Sequence, residues 1–176
     1  MGLFGKTVPK RKWAAVVVNL TVELRDYRAT WFAELVKHAS STNVDLTAIE
    51  VSPELDSAIA SLQWAVSATA IRENGYIKFS DFQFFIESLY ILLTGRSVLE
   101  MTEDLAMKML ETNDQGAAMD MWCNFVAPLV SDSTNNPELH KILNQFGSAM
   151  VLRAMIDTAK ACFDPKRADM LQSTLE

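Results

Sequence analysis

The sequence is poor in the residues from which most catalytic and cofactor sites are built. It has two histidines, two cysteines and six glycines among 176 residues. Six glycines leave little material for a phosphate-binding loop or a dinucleotide fingerprint, and neither pattern occurs. Cys-x-x-Cys and Glu-x-x-His pairs are also missing, so the sequence predicts no zinc site and no di-iron site. We therefore expect neither a metal nor a cofactor.

Long apolar runs are missing as well. The nearest candidate, residues 82–93, is shorter than the roughly 20 apolar residues that a membrane span requires, and polar side chains interrupt it. The N-terminal residues lack the apolar stretch of a secretory signal. We expect a soluble, cytoplasmic chain without a membrane span. We interpret Cys123 and Cys162 as small buried side chains with free thiols, which fits a reducing compartment. The alternative is a disulfide bond between them.

Charge is unevenly distributed along the chain. The net charge is −6, yet the first twelve residues contain no acid and carry four cations: Lys6, Lys10, Arg11 and Lys12. The rest of the chain therefore carries −10, which argues against a nucleic-acid partner. We predict a basic N-terminal arm over 1–12 and a single acidic domain over 13–176. The arm is interpreted as a flexible solubilising tail, with contact to an anionic surface or acidic partner as the alternative.

Helix signals dominate the pattern and predict an all-α fold. Ser52-Pro53, Asn136-Pro137 and Asp164-Pro165 each place a capping side chain before a first-turn proline. Ser80 and Gln83 form a potential capping box, and Gly95 stands at a C-cap position. Apolar periodicity supplies the helix bodies. The predicted helices span 13–38, 53–73, 81–94, 103–111, 116–130, 137–163 and 165–174.

The third predicted helix is apolar on nearly every side. Such a helix is typical of the buried centre of a bundle. Short connections between the helices favour neighbours that run antiparallel. We therefore expect an antiparallel bundle of about seven helices with the third helix as its central, buried member. Residues 44–51 and 76–79 form either a minor two-stranded β ribbon or irregular loop.

One segment resembles the second half of an EF-hand. Gly75 is followed by an isoleucine two places on, and then by an acid and a phenylalanine that open a helix. If Gly75 holds the loop's invariant glycine position, Ala70 and Arg72 fall where calcium requires oxygen ligands. Alanine offers no ligand and arginine repels the ion. The segment is interpreted as a helix C-cap followed by a short link, without calcium.

No arrangement typical of an enzyme is present. Glu103 and Asp104 lie at a helix N-terminus, where acids stabilise the helix dipole. Cys123 combined with His38 or His140 offers the available nucleophile and base, but sequence does not show whether they meet. We therefore predict a non-enzymatic protein. A polar cleft that holds Cys123 or a histidine beside a carboxylate would reopen the question.

Two groups of side chains are candidates for an interaction surface. Arg25 and Arg28 share one side of the first helix, where they form local ion pairs or a patch for an acidic group. Methionines are concentrated in the second half of the chain. Two methionines that are two residues apart in a helix cannot both face the same core layer, so some of these side chains lie outside the core. Their flexible thioether groups suit partners of variable shape. The methionine candidates are Met107, Met109, Met119 and Met121.

The sequence therefore predicts a helical protein–protein interaction protein, such as an adaptor, chaperone, immunity or assembly subunit. Self-association as a dimer is the first expectation for what covers the surplus apolar surface. The alternative is a bundle that binds a hydrophobic small molecule between its helices. In that case the third helix lines the pocket with Phe82, Phe85, Ile86, Leu89 and Tyr90.

Overall fold

The computed structural model describes residues 7–42, 44, 46, 51–94, 100–112, 114–132 and 136–163. These residues form one 3₁₀ turn and six α-helices, and no strand occurs among them. The turn is Lys10–Lys12. The helices are α1 (Trp13–Ser41), α2 (Pro53–Glu73), α3 (Phe79–Thr94), α4 (Glu100–Glu111), α5 (Gln115–Val130) and α6 (Pro137–Phe163).

The all-α prediction is confirmed, and α2 and α6 have the predicted bounds. Local capping explains this agreement. The Ser52 hydroxyl accepts a hydrogen bond from the Leu55 amide at 3.1 Å, and the Asn136 side chain accepts one from the Glu138 amide at 2.9 Å. The other four helices are longer than predicted by one to three residues. The predicted seventh helix and the Gly95 C-cap lie outside the described residues.

Around the α2–α3 connection the predicted capping box is wrong, and of the ribbon and loop alternatives the structure has a loop at Tyr76. Because α3 begins at Phe79, Ser80 lies inside the helix and is not its N-cap, while Gln83 donates to Glu87 at 2.7 Å. No ribbon forms at Tyr76 either. Its carbonyl accepts a 2.7 Å hydrogen bond from the Val8 amide instead. Of residues 44–51, the other half of the possible ribbon, positions 45 and 47–50 lie outside the described residues.

The central helix of the bundle is α2, not α3 as the sequence predicted. It packs against α1, α3, α4, α5 and α6. Five alanines and three serines in its 21 residues let these neighbours approach closely. Two of its interior polar side chains form hydrogen bonds with neighbouring helices: the Gln63 amide group donates to the Leu24 carbonyl at 2.8 Å, and Thr158 of α6 donates to Ser67 at 3.0 Å.

Helix α3 lies at the periphery of the bundle. Because it has large apolar side chains on every side, not all of them can pack against a neighbouring helix. It packs on α1 and α2 and buries Phe85, Ile86 and Leu89. The opposite side is open to solvent. Phe79 is 91% exposed and Phe84 is 68% exposed. High hydropathy therefore identified a surface with surplus apolar area rather than the centre of the bundle.

Tryptophans join the helices through both packing and hydrogen bonds. Trp31 and Trp122 are almost fully buried and meet edge to face with ring centroids 5.9 Å apart. Every indole N–H donates to a main-chain carbonyl of another segment or turn. The bonds run from Trp13 to Val8, from Trp31 to Phe146, from Trp64 to Ile86 and from Trp122 to Ala58.

Two glycines are required by the geometry. Gly75 has a φ of +63°, a conformation that side chains disfavour, and it ends α2 as the sequence predicted. Gly147 lies where α6 crosses α5. A Cβ there would come within 2.7 Å of the Met119 sulfur and 3.0 Å of the Trp122 ring. Glycine therefore sets the close approach of these two helices.

The described part of the basic arm, residues 7–12, packs against the body of the protein rather than hanging free as a tail. Val8 is buried and bonded to Tyr76, and Lys10 forms a 2.7 Å ion pair with Asp81 of α3.

No helix among the described residues has both the length and the apolar character needed to cross a membrane.

Candidate interaction site

Arg25 and Arg28 of α1, which were predicted to form a surface patch, lie beside the C-terminal end of α3. Arg25 donates to the Leu92 carbonyl, and Arg28 donates to the Leu93 carbonyl at 3.2 Å. Arg28 also binds the Asp56 carboxylate at 3.1 Å and is only 7% exposed. Burial lowers the pKa of the Arg28 guanidinium; the charge of Asp56 partly opposes this effect, and the charge of Arg25 adds a smaller lowering. Both arginines thus cap the carbonyl end of α3.

The four candidate methionines divide as their spacing predicted. In each pair one side chain is buried, Met109 in α4 and Met119 in α5. The other is more accessible: Met107 is exposed and Met121 is half-buried. Met109 and Met119 come together in a single groove, whereas Met107 and the two arginines lie outside it. The groove therefore contains two of the six predicted side chains, and Arg25 and Arg28 meet separately at the end of α3.

This methionine groove has a volume of about 480 Å³ and runs between α2, α4, α5 and α6. Met109, Met119 and Met155 line it together with aliphatic side chains of α2 and α6: Leu62, Val66, Val151 and Leu152. Charge is confined to Arg72 and Glu73, the last two residues of α2. An apolar, sulfur-rich groove of this kind adapts its shape to an apolar partner.

One wall of the groove belongs to an uncharged face of α6, all of whose residues the structure describes. Between Lys141 and Lys160, the seven most exposed residues of α6 are neutral, and Arg153 is the one charged residue there with a partly exposed side chain. Arg153 lies at the edge of this face and is turned towards Glu23 and Asp157. We call this face the α6 stripe; it consists of Asn144, Gln145, Ser148, Ala149, Leu152, Met155 and Ile156.

The α6 stripe is unusual for a solvent-exposed helix face. Such a face normally carries charged or strongly polar side chains. Here Leu152 is 61% exposed, with Met155 and Ile156 beside it, and Ser148 and Ala149 are small enough to admit a close neighbour. The sequence analysis missed this face. The pattern that identifies this face in the sequence is a set of uncharged positions three or four residues apart, which continues over 13 residues.

The apolar side chains predicted to line a ligand pocket on the third helix pack mostly into the core. Phe85, Ile86 and Leu89 are buried, and Phe82 and Tyr90 pack against them from partly buried positions. None of these five side chains lines the methionine groove, a cavity between α5 and α6, or a third cavity beside Arg25 and Arg28.

A second cavity, of about 460 Å³, tests whether the chain carries an enzyme site. It lies between α5 and α6 and is lined by Asp120, Cys123 and His140, with Lys141, Asn144 and Gln145 at its α6 side. Nucleophilic catalysis requires an exposed, readily ionised thiol. Cys123 is 2% exposed, and burial, assisted by the charge of Asp120, raises its pKa to about 11. The cleft therefore contains a protected thiol rather than an activated one.

Both cysteines are free thiols, and their chemistry yields a direct prediction. At pH 8 a thiol with a pKa of about 11 is ionised roughly a hundredfold less than one at the ordinary value of 9.0. We expect iodoacetamide to alkylate Cys123 at least about a hundredfold more slowly in the native protein than in urea. Cys162, whose pKa burial raises to about 12, should be slower still. Peptide mass spectrometry over time measures both rates.

Rapid alkylation of Cys123 in the folded protein would contradict this prediction and would identify an activated nucleophile. The urea-unfolded chain is the matched control, because it contains the same two thiols without their burial.

Metal binding receives no support from the described residues. No group of three or more histidine, cysteine or acidic side chains is arranged there to hold an ion. The EF-hand-like segment serves instead as the turn between α2 and α3, where the Asn74 side chain donates to the Ala70 carbonyl at 2.8 Å.

Comparison with known proteins adds no family to this description. The chain matches no protein-family model, no curated protein and no solved structure.

Proposed function

We propose that this protein is a non-enzymatic interaction module and that its first partner is a second copy of itself. The proposed interface consists of the α6 stripe and the adjoining methionine groove. The uncharged, exposed surface of Leu152, Met155 and Ile156 is the observation that carries this proposal. A helix face with these side chains gains most when another apolar surface covers it.

Charge favours a second copy as the occupant of this surface. The chain carries −6 overall, so most pairings of its surface with itself bring like charges together. The α6 stripe avoids this penalty because all seven of its side chains are neutral. A twofold contact places the same patch on both subunits, and such a patch must be compatible with itself. The α6 stripe meets that requirement.

Shape supports the same arrangement. The projecting side chains Leu152 and Ile156 form a ridge, and the methionine groove runs along one side of that ridge. In a twofold pair, the ridge of each copy enters the groove of the other. The stripe covers 13 residues, or about 20 Å of helix. A standard interface buries about 800 Å² per partner, so stripe and groove are both required.

Size-exclusion chromatography with light scattering tests the proposal. We expect the purified protein to have twice the monomer mass of 19.7 kDa and to dissociate on dilution. A strict monomer at high concentration would contradict self-association.

The methionine groove also supports a second candidate, the binding of a hydrophobic small molecule. Its volume of about 480 Å³ lies within the range of ligand pockets, and its lining is mostly apolar. This candidate transfers the predicted ligand site from the third helix to the groove. Native mass spectrometry separates the two functions. A co-purifying small molecule would support ligand binding, whereas dimers with the bare chain mass favour the interaction module.

A further inference from the structure

A second exposed apolar surface lies at the beginning of α3, next to the basic arm. It combines two protruding phenylalanines with cations from two segments of the chain. Phe79 is 91% exposed and Phe84 is 68% exposed. We call this surface the aromatic–cationic patch; its members are Lys10, Arg11, Lys78, Phe79 and Phe84.

Specific contacts hold the two halves of this patch together. The Val8 amide donates to the Tyr76 carbonyl at 2.7 Å, which fixes the arm beside the α2–α3 connection. Lys10 bridges to Asp81 at 2.7 Å and lies 5.4 Å from the centre of the Trp13 ring. Trp13 in turn lies 6.5 Å from the ring of Phe84. These contacts place the arm against the beginning of α3 and bring Lys10 and Phe84 both close to Trp13, while Arg11, Lys78 and Phe79 are exposed sequence neighbours in the joined segments.

The electrostatics of this surface oppose those of the whole protein. Residues 7–13 and 76–84 carry four cations and a single acid, Asp81, which is already paired with Lys10. The chain as a whole carries −6. An anionic surface would therefore attract this end of the molecule and repel the remainder. Such an asymmetry sets the orientation in which the protein approaches.

The exposed rings indicate the physical nature of the partner. Neither Phe79 nor Phe84 lines a cavity described above. Both rings are largely exposed to solvent rather than held in one of those cavities. Aromatic rings that protrude beside lysine and arginine suit the boundary between lipid headgroups and acyl chains, where the rings enter and the cations meet phosphate.

We infer that the aromatic–cationic patch binds the surface of an anionic phospholipid membrane, with Phe79 and Phe84 entering the interface and Lys10, Arg11 and Lys78 facing the headgroups. The attachment is peripheral and reversible. It uses a surface distinct from the α6 stripe, so a membrane-bound protein keeps that stripe available for a second copy.

Co-sedimentation of the full chain with vesicles tests this inference. We expect binding to vesicles of phosphatidylcholine mixed with phosphatidylserine, and little binding to phosphatidylcholine alone. Binding should weaken when salt rises from about 0.15 M to about 1 M, because the Debye length falls from about 8 Å to about 3 Å. Equal binding to both vesicle types, or no binding to either, would overturn the inference.

Substitutions separate the roles of the two residue types. A double Arg11→Gln and Lys78→Gln variant should bind anionic vesicles roughly 25-fold more weakly, since each cation near such a surface contributes about a fivefold factor. Phe79→Ser should weaken binding roughly tenfold. Because these side chains are exposed, the thermal transition should stay unchanged. Val22→Ser is the matched control: it removes an exposed apolar side chain of α1 beside Glu23, and we expect no loss.

An acidic protein is the competing partner, and a polyglutamate peptide represents it. The inference is overturned if fluorescence anisotropy shows that the labelled peptide binds while anionic vesicles do not. It is also overturned if Val22→Ser reduces vesicle binding as much as Phe79→Ser, because the patch would then have no special part in it. Selective loss in the patch variants supports it.

Discussion

Replacing Leu152 by glutamate is expected to convert the proposed dimer into a monomer. Twofold symmetry places two copies of the new carboxylate in the interface, where each loses its hydration without gaining a cation. An unpaired charge in a buried interface costs roughly 2–5 kcal/mol, so the dimer dissociation constant should rise on the order of a hundredfold or more. Sedimentation velocity over a dilution series measures the change.

The monomer itself should tolerate this substitution. Leu152 is 61% exposed, so its replacement should change the free energy of unfolding of the monomer by no more than about 0.5 kcal/mol. Ile91→Glu is the matched control, because Ile91 is 53% exposed on α3 and outside the stripe. Equal loss of dimer in both variants, or none in Leu152→Glu, would rule out the α6 stripe as the interface.

The largest loss of stability is expected from Trp122→Ala. The Trp122 ring is fully buried, meets Trp31 edge to face and donates its N–H to the Ala58 carbonyl at 3.0 Å. Alanine leaves a cavity between α2, α5 and α6 and removes the hydrogen-bond partner of a buried carbonyl. The free energy of unfolding should fall by about 4 kcal/mol. Urea denaturation followed by circular dichroism provides the measurement.

Phe84→Ala is the control for this prediction. It also removes an aromatic ring, but one that is 68% exposed, so its effect should stay within about 0.5 kcal/mol. If the two variants lose similar amounts of stability, the Trp31–Trp122 contact is not a centre of the core.

Helix positions could be predicted from the sequence because the determining interactions are local. The side chains of Ser52 and Asn136 accept hydrogen bonds from amides only two or three residues away. The proline that follows each of them marks the first position of the helix, which can be read directly from the sequence. The Asp114 cap of α5 has the same character: its side chain accepts from the Gly116 and Ala117 amides. It was missed only because no proline follows it.

The arrangement of the helices depends on contacts between distant residues, which no local pattern records. Hydropathy favoured α3 as the centre, yet the small side chains of α2 allow five neighbours to pack around it. For similar reasons the sequence could not tell that Arg25 and Arg28 cap the end of α3, 65 or more residues further along the chain.

The candidate site was only partly predictable. The spacing of Met107 and Met109, and of Met119 and Met121, correctly indicated that each pair divides between buried and more accessible positions. That Met109 and Met119 meet in one groove follows from the packing of α4 and α5 around α2, with α6 completing the groove. The absence of charge along the α6 stripe can be read from the sequence. Only the structure shows that this face is exposed to solvent.

Disulfide cross-linking across the proposed twofold axis tests self-association through the α6 stripe most directly. Cysteine is introduced singly at Gln145, Ala149, Leu152 and Ile156, and at Ile91 of α3 as the control. The native Cys123 and Cys162 are both buried, so they contribute little background. Under mild oxidation we expect a covalent dimer from at least one stripe position, since a residue near a twofold axis faces its own copy. Cross-linking at Ile91 alone, or at none of the stripe positions, would contradict the proposed interface.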